Sequence, residues 1–556
     1  MKRFLWLGFV LFLYVICTGC GDTFRPIIIP NPPIFPSPKA AHTVVAINDN
    51  GSIVQGSAMV IDVSGDTVVS IADCSTPLCV GVSPVHAVQQ TSNQVLVVSH
   101  SADSPAADSI SKLNFSGLSI NSTTTIGLPA GSAPSFVAVA PTDTTAYVTL
   151  PDYVPDPINN PGVVVPSVGV VNTQSNNLVA TIPAGVNPVA LAVTPDKSKL
   201  YVANQGDGTI SAFNTADRST RTITGSLTNP PIWLVARTDS QRVYVLEQTT
   251  GTLASIDTTS TAGPDTLTEI NTINVPGATT MTYDPNLNRL YIPGEQQMAI
   301  VDVSQSLPQF LAGGPLTISP VLSSSRSSND VCSTLSPTPV TAAAVAALPD
   351  GSRAYVGSYA RFEVDVTISK ATLNSDGIHT TYTYSLSPTA TVDLLPGMVI
   401  TISNVDSTGL DPNKIPPSDF DGTFTILSVG GGAFEVTNAP TDTYLRGGSG
   451  AAPNVCPQVT VIDAASNTIK TPQITIPGVP GYEPFCSNTR FRMMMAAGGD
   501  SSRAYLSSCD GGNVNIIDTY NDTYIENLPA PVGSRPPMPP NPLNPPQNPV
   551  LLFAGP

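Results

Sequence analysis

Between residues 187 and 215 the chain reads NPVALAVTPDKSKLYVANQGDGTISAFNT: two apolar runs of strand length enclose a polar turn, and a third run follows. Degenerate copies recur along most of the 556 residues: PSFVAVAPTDTTAYVT at 134–149, PIWLVARTDSQRVYVL at 231–246, TTMTYDPNLNRLYI at 279–292, AAAVAALPDGSRAYVG at 342–357 and FRMMMAAGGDSSRAYL at 491–506. Each copy predicts an antiparallel β-meander, with Pro, Asp, Gly and Ser supplying the turn.

A single meander cannot bury both of its faces. Repeated at intervals of roughly 45 to 55 residues, such units are most stable packed face to face around an axis, so the pattern predicts an all-β fold, a β-propeller. Here the residues resemble the YVTN-type propeller repeat family. Leu200-Tyr201-Val202-Ala203-Asn204 is close to the naming motif, and Tyr147-Val148-Thr149, Tyr244-Val245 and Tyr355-Val356-Gly357 are partial matches. The resemblance implies the fold over most of the chain. It leaves function open, because the family includes surface and periplasmic proteins of different roles and some related propellers are lactonases.

The last residues, NPVLLFAGP at 548–556, align with NPVALAVTP at 187–195, the first strand of a unit that then stops. The rest of that unit stands at the other end: HTVVAIN at 42–48 matches the Tyr-Val strand, AMVIDV at 58–63 the third strand, and residues 67–71 supply the fourth. The ring is therefore expected to close by pairing residues 549–553 with 43–47, which covers two sheet edges. With the units opening near Pro84, Pro134, Pro188, Pro231, Ala278, Ala342 and Phe491 the count is eight blades, or seven if the Pro84 unit, with Leu96-Val97-Val98 in place of Tyr-Val, forms none. One unit is interrupted between Tyr359 and Pro457. Phe362, Val364, Val366 and Ile368 alternate there with polar residues, as do Met398, Ile400 and Ile402, and then Phe424 and Ile426, which predicts a small inserted β-domain and not an irregular loop.

The ends of the chain carry other signals. Met1-Lys2-Arg3 precedes an apolar stretch at residues 4–16, long enough for a signal-peptide core and short for a membrane span. Thr18-Gly19-Cys20 then looks like a lipobox, with Cys17 where Leu is usual, so Cys20 is the expected lipidation site, and Gly21 after it favours the outer membrane or cell surface, with a periplasmic position as the alternative. Pro-rich stretches at 21–41 and 529–548 read as a tether and a spacer. The expected organisation is thus a leader at 1–20, the tether at 21–41, the propeller at 42–361 and 456–528 around an insertion at 362–455, the spacer at 529–548 and a closing strand at 549–556.

Composition narrows the functions. A formal charge of −17, made more negative by loss of Lys2 and Arg3 with the leader, repels phosphate backbones, and no basic stripe with interleaved aromatics offsets it, so nucleic acid is not expected as a partner. Beyond the leader stand Cys74, Cys79, Cys332, Cys456, Cys486 and Cys509, an even number that suggests disulfides in an exported chain. Cys332 and Cys486 precede first strands, while Cys456 and Cys509 are expected between second and third strands. Loops of those two kinds share a face of a propeller, so the expected pairs are Cys332–Cys456, Cys486–Cys509 and Cys74–Cys79. Metal ligation by these thiols is disfavoured by the lack of CxxC spacing and of a partnering His.

Chemistry is otherwise sparse. His42, His86, His100 and His379 are scattered, with His86 expected on an inner strand, and no nucleophile elbow, Walker loop or HExxH is present. Asp49-Asn50-Gly51, Gly206-Asp207-Gly208 and Asp510-Gly511-Gly512 sit where hairpins turn and read as turns, not calcium loops. The recurrent Tyr147, Tyr201, Tyr244, Tyr291, Tyr355 and Tyr505 read as packing between sheets. No catalytic, cofactor-binding or metal set is assigned. The expected function is a non-enzymatic, lipid-anchored propeller that binds an envelope or extracellular protein or a glycan through its loop face, the membrane being met through the anchor alone. The alternatives are a hydrolase of lactonase type with its site in the central channel and a structural envelope component.

Overall fold

The computed structural model describes residues 43–72, 78–91, 93–321, 325–327, 330, 332–333, 339–388, 393–396, 398–408, 418–481, 486, 489–529 and 548–555. The repeat units form sheets of four or more strands set around an axis, a β-propeller. Blade 1 joins Thr43–Asp49, Ser57–Asp62 and Thr67–Ala72 to Asn548–Ala554, its innermost strand. Blade 2 holds Pro84–Thr91, Gln94–Ser99, Ser109–Ser116 and Ser119–Gly127, so the weak Pro84 unit makes a complete sheet; blade 3 holds Val137–Val139, Thr145–Leu150, Ser167–Asn172 and Asn177–Pro183. Blade 4 holds Pro188–Val193, Lys199–Asn204, Thr209–Asn214 and Thr220–Arg221; blade 5 holds Pro231–Ala236, Arg242–Glu247, Thr252–Asp257 and Asp265–Asn274. Blade 6 holds Thr282–Asp284, Arg289–Gly294 and Gln297–Asp302 with two short outer strands; blade 7 holds Val340–Ala347, Arg353–Leu373, Ser449–Asp463 and Thr468–Thr475; blade 8 holds Met493–Ala497, Arg503–Ser508, Asn513–Asp518 and Thr523–Pro529. Among the described residues that makes eight sheets in the ring, beside a two-stranded sheet of Asp406–Thr408 and Thr443–Arg446.

The position of a strand within its blade explains its composition. Second strands are covered by sheets on both sides, so Leu200, Tyr201, Val202 and Ala203 are all wholly buried and the run is continuously apolar. Fourth strands lie at the rim with one face in water, so Thr67–Ala72 alternates exposed and covered residues. First strands open on proline at Pro84, Pro188 and Pro231, opposite Ser99, Asn204 and Glu247 of the second strands. Proline is tolerated there because it begins the strand that borders the channel, where a missing donor breaks no ladder.

The termini close the ring in the expected register. Val45 faces Phe553, Ala46 faces Leu552, Ile47 faces Leu551 and Asn48 faces Pro549. Val550 and Leu551 then pack with Val45, Ile47 and Val95, and Leu552 packs with Met59, Tyr505 and Ile516, so the clasp contributes to the cores on both of its sides.

Among the recurrent tyrosines, Tyr201, Tyr355 and Tyr505 staple one blade to the next through an aspartate. Tyr201 of blade 4 donates to Asp265 Oδ2 of blade 5 at 2.8 Å, beside Lys199 Nζ, which reaches Asp265 Oδ1 at 2.8 Å and the Thr258 and Ser260 carbonyls at 2.6 Å. Arg221 Nε adds a 3.0 Å bond to the same carboxylate. Burial alone would raise the Asp265 carboxyl, but these bonds outweigh it and hold it below the usual range. Tyr355 of blade 7 likewise donates to Asp522 of blade 8 at 2.5 Å, with Arg353 Nη1 2.7 Å from that carboxylate. In both joints the tyrosine stands two positions after a basic residue, Lys199 before Tyr201 and Arg353 before Tyr355.

The interruption in blade 7 is a second β-body grown out of the blade. Arg353–Leu373 and Ser449–Asp463 pair without a break from Arg353 opposite Asp463 to Thr367 opposite Ser449, and His379–Leu386, Ala433–Thr437, Gly422–Gly430 and Val399–Ser403 complete the sheet. Val364, Val366, Ile368, Met398, Ile400, Ile402 and Ile426 form its core, with Tyr382 stacked on Phe434 at 5.3 Å. This corrects one expectation. Cys456 lies inside the lengthened third strand, opposite Ala360, and not in a loop, because the stem carries the pairing outward beyond the blade.

Candidate ligand-binding site

The inner strands aim their third residues at the axis. Counting from the opening prolines, Pro84-Val85-His86, Pro134-Ser135-Phe136 and Pro231-Ile232-Trp233 each place a ring there, and Phe491 of blade 8 adds a fourth. His86 stacks on Phe136 with centroids 3.7 Å apart, Trp233 meets Phe136 edge-on at 5.4 Å and Phe491 at 5.9 Å. The cluster divides the channel. One side is an apolar cavity of about 500 Å³ bordered by Ala344, Met495 and Leu552 among others.

The other side is a cavity of about 670 Å³ that opens between the loops. Its wall combines blade-to-blade loops (Ser135, Asn187, Thr279, Arg490) with loops between second and third strands (Asp152, Gln205, Gln248, Thr249). These are the two loop classes expected to share a face, and the stem of the insertion leaves blade 7 from that same class of loop. Arg490 sits at its floor with its guanidinium carbon 5.0 Å from the Phe136 centroid, 5.3 Å from Trp233 and 5.7 Å from Phe491. Nη1 donates to the Ser135 carbonyl at 2.9 Å and Nη2 to the Val189 carbonyl at 3.1 Å, so one side chain of blade 8 crosses the channel to blades 3 and 4. No carboxylate pairs with it among the described residues, and burial pushes it down to about 10. Burial, and then the charge of Arg490, hold His86 well below the ordinary histidine value, so its ring is neutral; its Nδ1 accepts from the Val137 N–H at 3.4 Å.

The surroundings of Arg490 are braced. Cys486–Cys509 links the loop leading to Arg490 with the turn after the second strand of blade 8, and Arg492 holds the buried Asp510 through two 2.7 Å bonds. Cys332–Cys456 joins the loop before blade 7 to the stem of the insertion, where Arg326 also donates to the Pro457 and Ile476 carbonyls. Cys79 is disulfide-bonded. Cys74 and Cys20 lie outside the described residues. Among the described residues no helix is long and apolar enough to cross a membrane, and the two disulfides fit an oxidising compartment outside the cytoplasm.

The Asp/Gly motifs serve turns. Asp49 Oδ1 accepts from the Gly51 N–H at 2.9 Å, Asp207 Oδ1 from Thr209 Oγ1 at 2.7 Å with Gly208 at φ +70°, and Asp510 is committed to Arg492. Two acidic sites, one of them a cluster, escaped the sequence reading. Glu247, beside Gln248, is fully buried; Oε2 accepts from the Asn229 N–H at 2.8 Å, and burial pushes the carboxyl up to about 7. In the insertion, Asp376, His379 and Glu435 bring three donor atoms within 4.8 Å of one another, while Asp376 also caps the turn by accepting from the Ile378 and His379 N–H groups.

No protein-family pattern matches the sequence, and no curated protein is close enough to count as a relative. Among solved structures, apo AztD from Citrobacter koseri is similar over 92% of this chain and 97% of its own at 8% identity and a TM-score of 0.48. Dihydro-heme d1 dehydrogenase NirN in complex with DHE covers 90% of this chain and 75% of its own at 10% identity and a TM-score of 0.42. A functionally unknown protein from Desulfotomaculum acetoxidans covers 50% and 78% at 13% identity and a TM-score of 0.36. At these identities and TM-scores the likenesses say nothing of function.

Proposed function

We propose that this chain is an exported, lipid-anchored propeller that binds an envelope or extracellular protein or a glycan through the face bearing the blade-to-blade loops, without carrying out chemistry. The observation that carries this reading is the cavity of about 670 Å³ on that face, a volume usual for ligand sites. Amide and hydroxyl side chains make up most of its polar wall, and Asp152 and Arg490 are its ionisable residues among those described. That lining suits recognition of hydrogen-bonding groups better than hydrolysis, which needs a positioned base beside a nucleophile or a metal-bound water. The anchor reading rests on Thr18-Gly19-Cys20 and localises the protein to the outer membrane or cell surface.

Two measurements test it. Mass spectrometry of the mature N-terminus should find a lipid-modified Cys20, and Cys20→Ala should release the protein from membranes; an unmodified terminus beyond Cys20 removes the anchor. A pull-down from envelope extract with the full chain should retain a partner that is lost on Gln248→Ala with Asn187→Ala. Equal retention by that variant would move binding off this face.

A further inference from the structure

We propose that the Arg490 cavity receives the carboxylate of an acidic saccharide. This rests on the reading of the loop face as a binding face and narrows it to one ligand class. A guanidinium has five N–H donors. Arg490 uses two of them, on the Ser135 and Val189 carbonyls, and three are left without an acceptor among the described residues. A cation enclosed by Phe136, Trp233 and Phe491 gains from the ring faces, but it has lost water and no carboxylate offsets that loss. A carboxylate arriving through the cavity completes the site, since its two oxygens match the guanidinium fork. With Asp152 as the other ionisable residue of the wall, a single guanidinium fits a monoanionic carboxylate better than a phosphate dianion.

The rest of the wall indicates what bears the carboxylate. Asn187 Nδ2 donates to Gln205 Oε1 at 3.0 Å, and Gln205 Nε2 donates to Gln248 Oε1 at 3.0 Å, a chain of neutral amides from blade 4 to blade 5. Ser135, Thr249 and Thr279 add hydroxyls, and Phe491 adds an apolar surface. Apart from Asp152, the wall offers amides and hydroxyls, an aromatic face and one cation, which are complementary to a sugar ring: hydroxyl groups at the edge, C–H groups on the face and a single acid. The disulfide Cys486–Cys509 and the Arg492–Asp510 pair hold the segment around Arg490 before any ligand arrives, which lowers the ordering cost of binding.

The test is calorimetric titration of the full chain with tri-galacturonate, with its methyl ester and with neutral galactotriose. The ester keeps the shape and removes the charge. The free acid should bind, the other two should be about tenfold weaker or more, Arg490→Gln should abolish the preference, and Arg490→Lys should keep part of it. Comparison of acid and ester on the unaltered chain needs no variant to fold. Equal affinity for acid and ester, a preference that survives Arg490→Gln, or no binding of the acid at about 10 mM overturns the proposal. Charge-blind binding that is lost on Gln248→Ala would do so while leaving the loop face as the binding face; binding indifferent to Gln248→Ala and Asn187→Ala would remove both.

Discussion

Tyr505 of blade 8 donates its hydroxyl to Asp66 Oδ1 of blade 1 at 3.1 Å, across the seam where the two ends of the chain meet. Arg503, two residues earlier, reaches Asp66 Oδ2 at 2.8 Å, and Asp66 holds the left-handed φ of +50° that the turn requires. The seam thus carries the same basic-x-tyrosine staple as the joints between Tyr201 and Asp265 and between Tyr355 and Asp522. Tyr505→Phe removes one buried hydrogen bond and should lower stability by about 1 kcal/mol, whereas Asp66→Ala, which takes the acceptor from Tyr505 and one of two carboxylates from Arg503 and loses the turn residue, should cost about 2 kcal/mol. Denaturant titration of both variants checks the order; equal losses would mean that the carboxylate is not shared.

The clasp should matter more. Removing residues 549–555 uncovers the edge of Thr43–Asp49 and takes Val550, Leu551 and Leu552 out of two cores, a loss of about 1.5–3 kcal/mol for each buried side chain. A marked fall in melting temperature is expected. An unchanged melting temperature would place ring closure elsewhere.

Asp265 is the most heavily invested carboxylate. Asp265→Ala leaves Lys199 and Arg221 as buried cations without their anion, and about 3–5 kcal/mol should be lost. The change is checked by thermal melting at neutral pH, and a loss under 1 kcal/mol would mean that the Thr258 and Ser260 carbonyls satisfy Lys199 on their own.

Glu247 gives the pH dependence a direction. Its carboxyl is raised in the folded chain to about 7 from an ordinary value of 4.5, chiefly by burial, so the folded state favours the protonated form. The stability this group contributes is full below about 4.5 and is lost as pH rises through about 7. Asp49, raised to about 6 by burial, acts with the same sign over a lower window. Glu247→Gln should therefore melt higher than the natural protein at pH 8, with the gap narrowing below pH 5. Parallel profiles at both pH values would contradict this.

Much of the architecture was legible because it repeats. A recurring tyrosine, a proline opening several of the units and a half unit at either end are signals that reinforce one another along the chain, and the apolar alternation at Phe362, Val364 and Val366 marked the insertion for the same reason. Cys456 was misplaced because a pattern of period two does not show that two strands run unbroken from the blade into the insertion. The cavity was less accessible still. His86, Phe136, Trp233 and Phe491 each look like one more core residue in its own strand, and only closure of the ring brings them together around Arg490. The recurrence of a ring two residues after Pro84, Pro134 and Pro231 is the one sequence signal that could have found the cluster. Nothing local marked Arg490 as lacking a carboxylate, since its neighbour Arg492 is fully paired with Asp510.

The most direct test of the central claim, that binding belongs to the loop face over Arg490, is hydrogen–deuterium exchange of the full chain, free and saturated with the partner or glycan recovered in the pull-down. Protection should gather on residues 133–136, 150–153, 187–189, 205–208, 248–251, 277–280 and 489–491, around the cavity of about 670 Å³. Protection confined to the turns between first and second strands, around residues 195–198 and 349–352, or to the rim strands would contradict it.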